Sequence, residues 1–324
     1  MNNKNILFLS AGRRVDLVRI FLNELKKKRI NSSVYIADMN PELSSACHVV
    51  KKSFKLPSLN EPNYISDLLK ICKKNLIKII IPTIDPELNL LSKSKNYFLK
   101  KGIEIIISDN DFVKVSLDTG LTKNLFKKLN IPVLKLYSRN NIKFPCYAKP
   151  YNGSSSKMNF KISSKKDLTP LIYNNKRLIY EKYVGKDFDE YTVDIYYDKF
   201  GDLKSLIPRK RIEVRAGEIS KGITKKNKLY SFLLPKLKKL KGVKGCINCQ
   251  FFLNKKNNKI FGIEINARFG GGFPLSYASR GNYAGWIIDE YLLNKKIKFF
   301  DKWKKNLLML RFDEKIIIDG NKKI

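Results

Sequence analysis

The sequence predicts an α/β protein in which a doubly wound parallel-sheet domain is followed by a larger α+β part. Up to about residue 108, near-continuous apolar strands alternate with helical segments, a pattern typical of parallel sheets covered by helices on both faces. Beyond that residue, apolar and polar side chains alternate, as in DEYTVDIYYD and DLKSLIPRKRIEV. Alternation of this kind indicates mostly antiparallel strands.

The elements of the first domain follow one another in a regular order. An apolar strand at 5–10 runs through Gly12 into a helix, and three further strands end at Asp38, Asp85 and Asp109. Ligands of such sheets collect at the carboxyl ends of the strands. We therefore expect Gly12, Asp38 and Asp85 to lie at the binding edge. The first turn lacks the GxGxxG pattern, which argues against a dinucleotide site there.

The second part begins with a helix, LTKNLFKKLN, and a strand that ends at Lys149. A loop of small residues follows at 152–157, and the strands MNFKIS and RLIYEKYV flank a short helical stretch. Helices are expected near 229–241 and 283–294, and EKIIIDG offers a short final strand. This order of elements predicts an α+β architecture.

Composition indicates a globular protein. Hydrophobic residues make up 43% and aromatic residues 11% of the chain, and no apolar run approaches the roughly 20 residues that a membrane span needs. The first residues carry an apolar stretch too short for a signal peptide. The five cysteines are scattered, so we expect free thiols and a cytoplasmic protein that does not insert into membranes.

The charge is strongly basic, with 65 Lys and Arg residues against 29 Asp and Glu residues and a formal net charge of +36. Such an excess attracts nucleic acids or anionic substrates. The lysines are, however, spread along the whole chain, and a biased genome composition would have the same effect. Nucleic-acid binding is the less favoured alternative, because no helix-turn-helix, zinc-finger or RNA-binding signature is present.

Residues 248–272 contain the most informative pattern, two apolar strands joined by a polar turn. Because side chains alternate along a strand, Glu264, Asn266 and Arg268 point to one side, with Gln250 across the hairpin. Oxygen ligands at this spacing suit Mg²⁺, which is often bound together with nucleotide phosphates. The arginine can brace a transferred phosphate. An ordinary hairpin with a polar outer face is the alternative.

A second basic pattern lies at 208–218, where Arg209 and Arg211 are followed by Arg215. Several cations within one strand and loop are costly to gather unless they face an anion. We therefore expect Arg209 and Arg211 to hold the carboxylate or phosphate of a substrate, with a solvated basic edge as the alternative.

The order of these groups resembles the ATP-grasp superfamily, specifically single-module proteins similar to half of the carbamoyl-phosphate synthase large subunit. A helical lysine, a strand-end lysine, a small-residue loop, two glutamates and the hairpin set follow one another between residues 109 and 311. FLSAGRRVDLV, ADMNPELSSA and PTIDPELNLL are similar to the pre-ATP-grasp domain of that group. The resemblance implies a pre-ATP-grasp domain (1–108), a mobile lid subdomain (109–180), a catalytic subdomain (181–311) and a tail (312–324).

The resemblance also implies a nucleotide site. Two lysines would contact the ATP phosphates under the small-residue loop, Glu181 and the backbone after it would meet the adenine, and Glu190 would bind the ribose. The implied ATP-binding residues are Lys123, Lys149, Gly153, Ser154, Ser155, Ser156, Glu181, Lys182, Tyr183, Val184 and Glu190.

The same resemblance assigns the metal and the catalytic groups. Gln250, Glu264 and Asn266 would bind Mg²⁺, with two ions expected and Mn²⁺ as a substitute. The position of Gln250 is commonly acidic in the superfamily, and a neutral ligand there weakens the binding of one ion. Arg268 and Lys149 would stabilise the phosphoryl group in transfer.

The implied function is an ATP-dependent ligase that joins a small-molecule carboxylate to an amine, or to a thiol, through an acylphosphate. An ATP-binding protein of the same fold without turnover is an alternative, motivated by the neutral Gln250. The sequence is compatible with a homodimer. It does not predict which acid and which amine are used.

Overall fold

The computed structural model describes residues 4–152, 158–215 and 217–320. The N-terminal domain is a parallel sheet in the order β3-β2-β1-β4-β5, flanked by helices. Its central strand, NILFL, is buried at every position, as expected for a strand covered on both faces. The elements of this part are β1 (Asn5–Leu9), α1 (Val15–Lys27), β2 (Val34–Asp38), β3 (Ser53–Lys55), α2 (Tyr64–Lys74), β4 (Ile77–Pro82), α3 (Asp85–Leu99), β5 (Glu104–Ile105), α4 (Asn110–Ser116) and α5 (Thr119–Lys128), with 3₁₀ helices at Pro41–Leu43 and Ser45–Val49.

A small antiparallel sheet follows, with strands in the order β6-β9-β7-β8. It has a separate core made by Cys146, Ala148, Ile162 and Tyr180. We call this unit the lid sheet. Its elements are β6 (Leu136–Tyr137), β7 (Cys146–Pro150), β8 (Phe160–Ile162), α6 (Pro170–Asn174) and β9 (Leu178–Lys182), with 3₁₀ helices at Arg139–Asn141 and Lys165–Asp167.

The third unit is an antiparallel sheet of six strands in the order β14-β13-β10-β11-β12-β15, which we call the large sheet. Its apolar face and the N-terminal domain belong to one continuous hydrophobic core. The elements are β10 (Phe188–Tyr197), β11 (Leu203–Arg215), β12 (Glu218–Thr224), α7 (Lys228–Leu237), β13 (Gly245–Asn254), β14 (Ile260–Asn266), α8 (Phe273–Ala278), α9 (Tyr283–Tyr291) and β15 (Leu308–Leu310).

The predicted fold class is confirmed, with local differences. The strand expected to reach Asp109 ends at Ile105, although Ile106 still donates a backbone hydrogen bond to Ile80. The strand expected in EKIIIDG is absent from the described residues, and β15 lies just before that segment instead. All five cysteines are buried and free. Within the described residues, no helix is long and apolar enough to cross a membrane.

Candidate functional site

Strand pairing brings the polar side chains of the large sheet onto one face. Thr192 lies opposite both Arg209 and Gln250, and Gln250 lies opposite Glu264. Because alternate residues of a strand share a face, the register places six of the predicted site residues together. They are Glu190, Arg209, Arg211, Gln250, Glu264 and Asn266.

The lid sheet and helix α5 share a buried cluster of one carboxylate and two lysines, in which Lys123 comes from α5. Lys149 Nζ lies 2.9 Å from Glu181 Oε1, and Lys123 Nζ lies 3.4 Å from Glu181 Oε2. Burial lowers the pKa of Lys123, and Glu181 only partly offsets that effect. Burial also acts to lower the pKa of Lys149, but the carboxylates of Glu181 and Glu264 outweigh it and raise this pKa. Lys149 therefore stays charged and interacts electrostatically with Glu264 of the large sheet.

The position of Glu181 in this cluster differs from the one that the resemblance implied. Its side chain is only 4% exposed and joins the two lysines, whereas the resemblance placed it at an adenine edge. The backbone N–H of Lys182 donates to Lys135 O at 2.8 Å. Tyr183 and Val184 follow at the connection from the lid sheet to the large sheet. The predicted loop residues Gly153, Ser154, Ser155 and Ser156 lie outside the described residues.

The hairpin β13–β14 carries the predicted metal ligands. Asn266 Nδ2 donates to Glu264 Oε1 at 2.9 Å, so the carboxylate and the amide lie side by side. Within the described residues, no group of three or more His, Cys, Asp or Glu side chains is arranged around one point. The arrangement fits a cation held by one carboxylate, with amide oxygens and the phosphates of a ligand completing its coordination.

Arg268 connects this hairpin to the N-terminal domain. Its Nη2 lies 2.5 Å from Asp85 Oδ2 and 3.5 Å from Asn266 Oδ1. Asp85 is the first residue of α3, directly beyond β4. The sequence placed Asp85 at the ligand-binding edge of the parallel sheet, but it gave no signal for a partner 183 positions away.

Arg211 occupies the space beside the expected metal ligand Gln250. Its guanidinium is paired with the Glu190 carboxylate and donates to Gln250 Oε1 at 3.1 Å and to Gly217 O at 3.0 Å. Burial raises the pKa of Glu190, and the charge of Arg211 opposes that effect. A fixed cation therefore sits where the resemblance implied one of two metal ions, and Glu190 is engaged by it.

Arg209 has a structural role that contradicts the prediction that it holds a substrate anion. It donates through Nε and Nη2 to the two oxygens of Asp194, at 2.7 and 2.9 Å, and its side chain is 1% exposed. Ser276 donates to the same carboxylate at 2.5 Å, and a Cβ on Gly272 would collide with the guanidinium. The sequence showed the cation but not its partner on the neighbouring strand.

Comparisons with known proteins agree with this architecture. The family described as "PylC-like, N-terminal domain" matches residues 6–106, and "ATP-grasp in the biosynthetic pathway with Ter operon" matches residues 177–310. A comparison with curated proteins finds no match.

Solved structures share the fold at low sequence identity. The biotin carboxylase domain of Hydrogenobacter thermophilus 2-oxoglutarate carboxylase is 14% identical with a TM-score of 0.72, covering 95% of this chain and 74% of that one. N5-carboxyaminoimidazole synthetase from Staphylococcus aureus is 14% identical with a TM-score of 0.69, covering 88% and 76%. L-amino acid ligase from Bacillus licheniformis is 14% identical with a TM-score of 0.65, covering 90% and 75%.

The family match and the shared fold thus identify an ATP-grasp domain in this chain. More particularly, the chain carries a PylC-like N-terminal domain followed by an ATP-grasp domain of single-module size.

Proposed function

We propose that this protein is an ATP-dependent ligase that activates a carboxylate as an acylphosphate and joins it to an amine. One observation carries the proposal: Lys123 of α5 and Lys149 of the lid sheet converge on the buried carboxylate of Glu181, and Glu264 of the large sheet helps to raise the pKa of Lys149. Cations from α5 and the lid sheet on one side and an oxygen-ligand hairpin on the other suit a nucleoside triphosphate with its metal. The similar structures include an L-amino acid ligase, and those of the biotin carboxylase domain and the N5-carboxyaminoimidazole synthetase are complexes with ADP.

In this proposal the lysines bind the ATP phosphates, and Glu181 holds both ammonium groups in place until the nucleotide arrives. Lys149 is well suited to this task because the neighbouring carboxylates raise its pKa. The backbone from Lys182 to Val184 and the side chain of Glu190 remain the proposed contacts of the nucleoside, and the loop from Gly153 to Ser156 remains a proposed phosphate cover.

Glu264 and Asn266 are the proposed Mg²⁺ ligands, with Gln250 as a weaker third ligand because it already accepts from Arg211. Bound Mg²⁺ would neutralise the charge of the phosphates. Arg268 is the proposed contact of the transferred phosphoryl group, because Asp85 fixes its guanidinium at the junction of the two domains.

The proposed reaction has two steps that need no covalent protein nucleophile. A carboxylate oxygen of the acid attacks the terminal phosphorus of ATP, and the bond to ADP breaks. The amine then attacks the acyl carbon, and phosphate leaves with the bonding electrons while the amine loses a proton. The residues contribute positioning and charge.

The test is ADP release by the purified protein with Mg²⁺, ATP and paired panels of carboxylates and amines. Glu264→Gln should lower turnover by orders of magnitude and weaken nucleotide binding less, since the lysine contacts remain. Glu213→Gln, an exposed carboxylate on β11, is the matched control. Turnover by Glu264→Gln at the wild-type rate would refute the assignment.

Nucleotide binding without turnover is the second candidate, favoured by the neutral Gln250 and the adjoining Arg211. It predicts tight binding of Mg²⁺ and ATP with no ADP release for any acid and amine pair. Nucleic-acid binding would instead show steep salt dependence and indifference to ATP.

A further inference from the structure

Three arginines converge at the junction of the N-terminal domain and the large sheet. Arg13 and Arg14 follow β1 directly, at the carboxyl edge of the parallel sheet, and Arg311 follows β15. Arg311 Nη1 lies 2.9 Å and Arg13 Nη2 lies 3.5 Å from Glu218 Oε2. Burial acts to raise the pKa of Glu218, but the three guanidinium groups outweigh it and lower this pKa. Glu218 therefore faces three cations.

In the part of the chain that the structure describes, Arg14 is the cation of this group that forms no ion pair with a carboxylate, whereas Arg13 and Arg311 both pair with Glu218. Among the described residues its side chain has a single hydrogen bond, from Nη1 to Phe269 O at 3.1 Å. Burial and the charge of Arg268 lower its pKa to about 10. Arg14 is thus a charged group close to the proposed phosphoryl-transfer arginine, and an added anion would relieve the repulsion between the two guanidinium groups.

A cavity of about 800 Å³ opens beside these arginines. Arg13, Glu218 and Arg311 line it, and they also line a smaller cavity that reaches Arg14 and Gly270. Away from these arginines, the walls come from α1, α8 and residues 307–316, and they include apolar side chains at Ile20, Leu275, Leu308, Leu310 and Ile316. Two ion pairs, Arg19–Glu314 and Arg215–Asp313, interrupt this apolar lining. The space therefore has a cluster of arginines at one end and a mixed wall with apolar side chains along its length.

We propose that these two cavities together bind the acid substrate, with its carboxylate at the smaller one, held by Arg14, Arg13 and Arg311, and its apolar body along the walls of the larger one. This inference rests on the proposed ligase function and names the substrate class as a carboxylate with an apolar chain. The geometry favours the acid over the amine because three cations face Glu218 and Asp16 at the polar end. These three arginines take the carboxylate-binding role that was predicted for Arg209, because Arg209 is buried in an ion pair of its own.

The polar end lies next to the proposed chemistry. Arg14 donates to the carbonyl of Phe269, the residue directly after Arg268. Gly271 permits the close approach of this loop to Glu218, because a Cβ there would lie 2.7 Å from the carboxylate. A carboxylate at Arg14 would therefore be near the side chain proposed to face the transferred phosphoryl group.

The test is calorimetric binding of straight-chain carboxylates from acetate to octanoate to the full chain, with hexanamide as the neutral control. Affinity should rise with chain length, and hexanoate should bind more tightly than hexanamide. Arg14→Ala should weaken hexanoate binding by about 10- to 100-fold, since a charged hydrogen-bonded pair is lost. Arg14→Lys should restore part of the affinity. Arg177→Ala, an exposed arginine of the lid sheet region, should bind hexanoate as the wild type does.

Hexanoate binding that is absent from the wild type, equal for hexanamide, or unchanged in Arg14→Ala would overturn the proposal. A parallel titration with Mg²⁺ and a nonhydrolysable ATP analogue separates it from the proposed function. Failure of the analogue to bind would contradict the proposed ligase function. The carboxylate titration would still show whether the cavity binds a carboxylate. Arg14→Lys guards against misfolding, because it retains the charge and the stem of the side chain.

Discussion

At the scale of single residues, the site differs from its expected form mainly in the placement of arginines. Arg209 is sealed in an ion pair with Asp194, and Arg211 joins Glu190 to Gln250. A guanidinium cannot leave as a metal ion can, so its charge is permanent. Two metal ions were expected on this face of the large sheet. The Arg211 guanidinium already places one fixed positive charge there.

Removal of the Arg211 guanidinium should change the number of metal ions bound. We expect one Mn²⁺ per chain in the wild type with a nonhydrolysable ATP analogue. We expect a second, weaker ion in Arg211→Ala, because Glu190 and Gln250 are then free to ligate it. Electron paramagnetic resonance titration with Mn²⁺ counts both. The control is Lys210→Ala, whose ion pair is with Asp189. Two ions in the wild type would contradict the expectation.

At the scale of elements, the start of α3 contains a buried acid. Glu87 accepts from Thr83 N at 2.6 Å, Ile84 N at 3.1 Å and Ser10 Oγ at 3.0 Å. Burial outweighs these bonds and raises the pKa of Glu87 from 4.5 to about 7. The Glu87 carboxyl group in the first turn of α3 therefore stays protonated to a higher pH in the folded protein than in the unfolded chain.

This shift predicts that stability falls as the pH rises. Between 4.5 and about 7 the folded protein keeps the proton and the unfolded chain has lost it, so the free energy of unfolding decreases through that window and then levels off. The contribution is on the order of 3 kcal/mol. Urea unfolding at several pH values should show the slope, and Glu87→Gln should flatten it. Glu61→Gln, at an exposed position, should leave it unchanged.

The lid sheet should open more readily than the large sheet. Its core contains four buried residues, whereas the large sheet shares its core with the N-terminal domain, and small cores give low opening free energies. Hydrogen exchange should be faster in β7 and β9 than in β10 and β13. A nonhydrolysable ATP analogue should slow it through Lys123 and Lys149, with β1 as an unaffected reference. Equal exchange in both sheets would argue against an independent lid.

The sequence was most informative where one strand or one hairpin determines the outcome. Alternation correctly placed Glu264 and Asn266 beside each other, and apolar runs correctly located the parallel strands. It was least informative for partners that only the tertiary fold brings together. Asp85 meets Arg268, and Asp194 meets Arg209, across separations that no local pattern encodes. We therefore predicted binding roles for charged residues of similar appearance, although the fold uses some of them in structural ion pairs.

At the scale of the whole molecule, the N-terminal domain and the large sheet act as one body. A single core spans both, and the Arg268–Asp85 pair crosses their junction with side chains only 15% and 11% exposed. The junction therefore has an electrostatic contact in addition to its apolar packing, and that contact positions a proposed catalytic group.

Loss of the Asp85 charge should affect both stability and turnover. Asp85→Asn leaves a mostly buried guanidinium with a weaker partner, which should cost about 1–3 kcal/mol of unfolding free energy. Urea unfolding and ADP release measure the two effects. Asp38→Asn is the matched control, because Asp38 also ends a strand of the parallel sheet but, within the described part of the chain, accepts only a local backbone hydrogen bond from Asn40. Equal stability of both variants would show that the junction is held by apolar packing alone.

Residues 307–316 form one wall of the large cavity, yet they take no part in the lysine cluster or the β13–β14 hairpin. In the proposed ligase, this wall of the acid site and the phosphoryl-transfer groups therefore lie in separate stretches of the chain. Substitutions confined to the nine of these positions that line the cavity, all except Lys315, should change which acid is accepted and leave the nucleotide-binding residues unaltered. Because this segment is separate from the nucleotide-binding residues, it is well suited to a directed-evolution library.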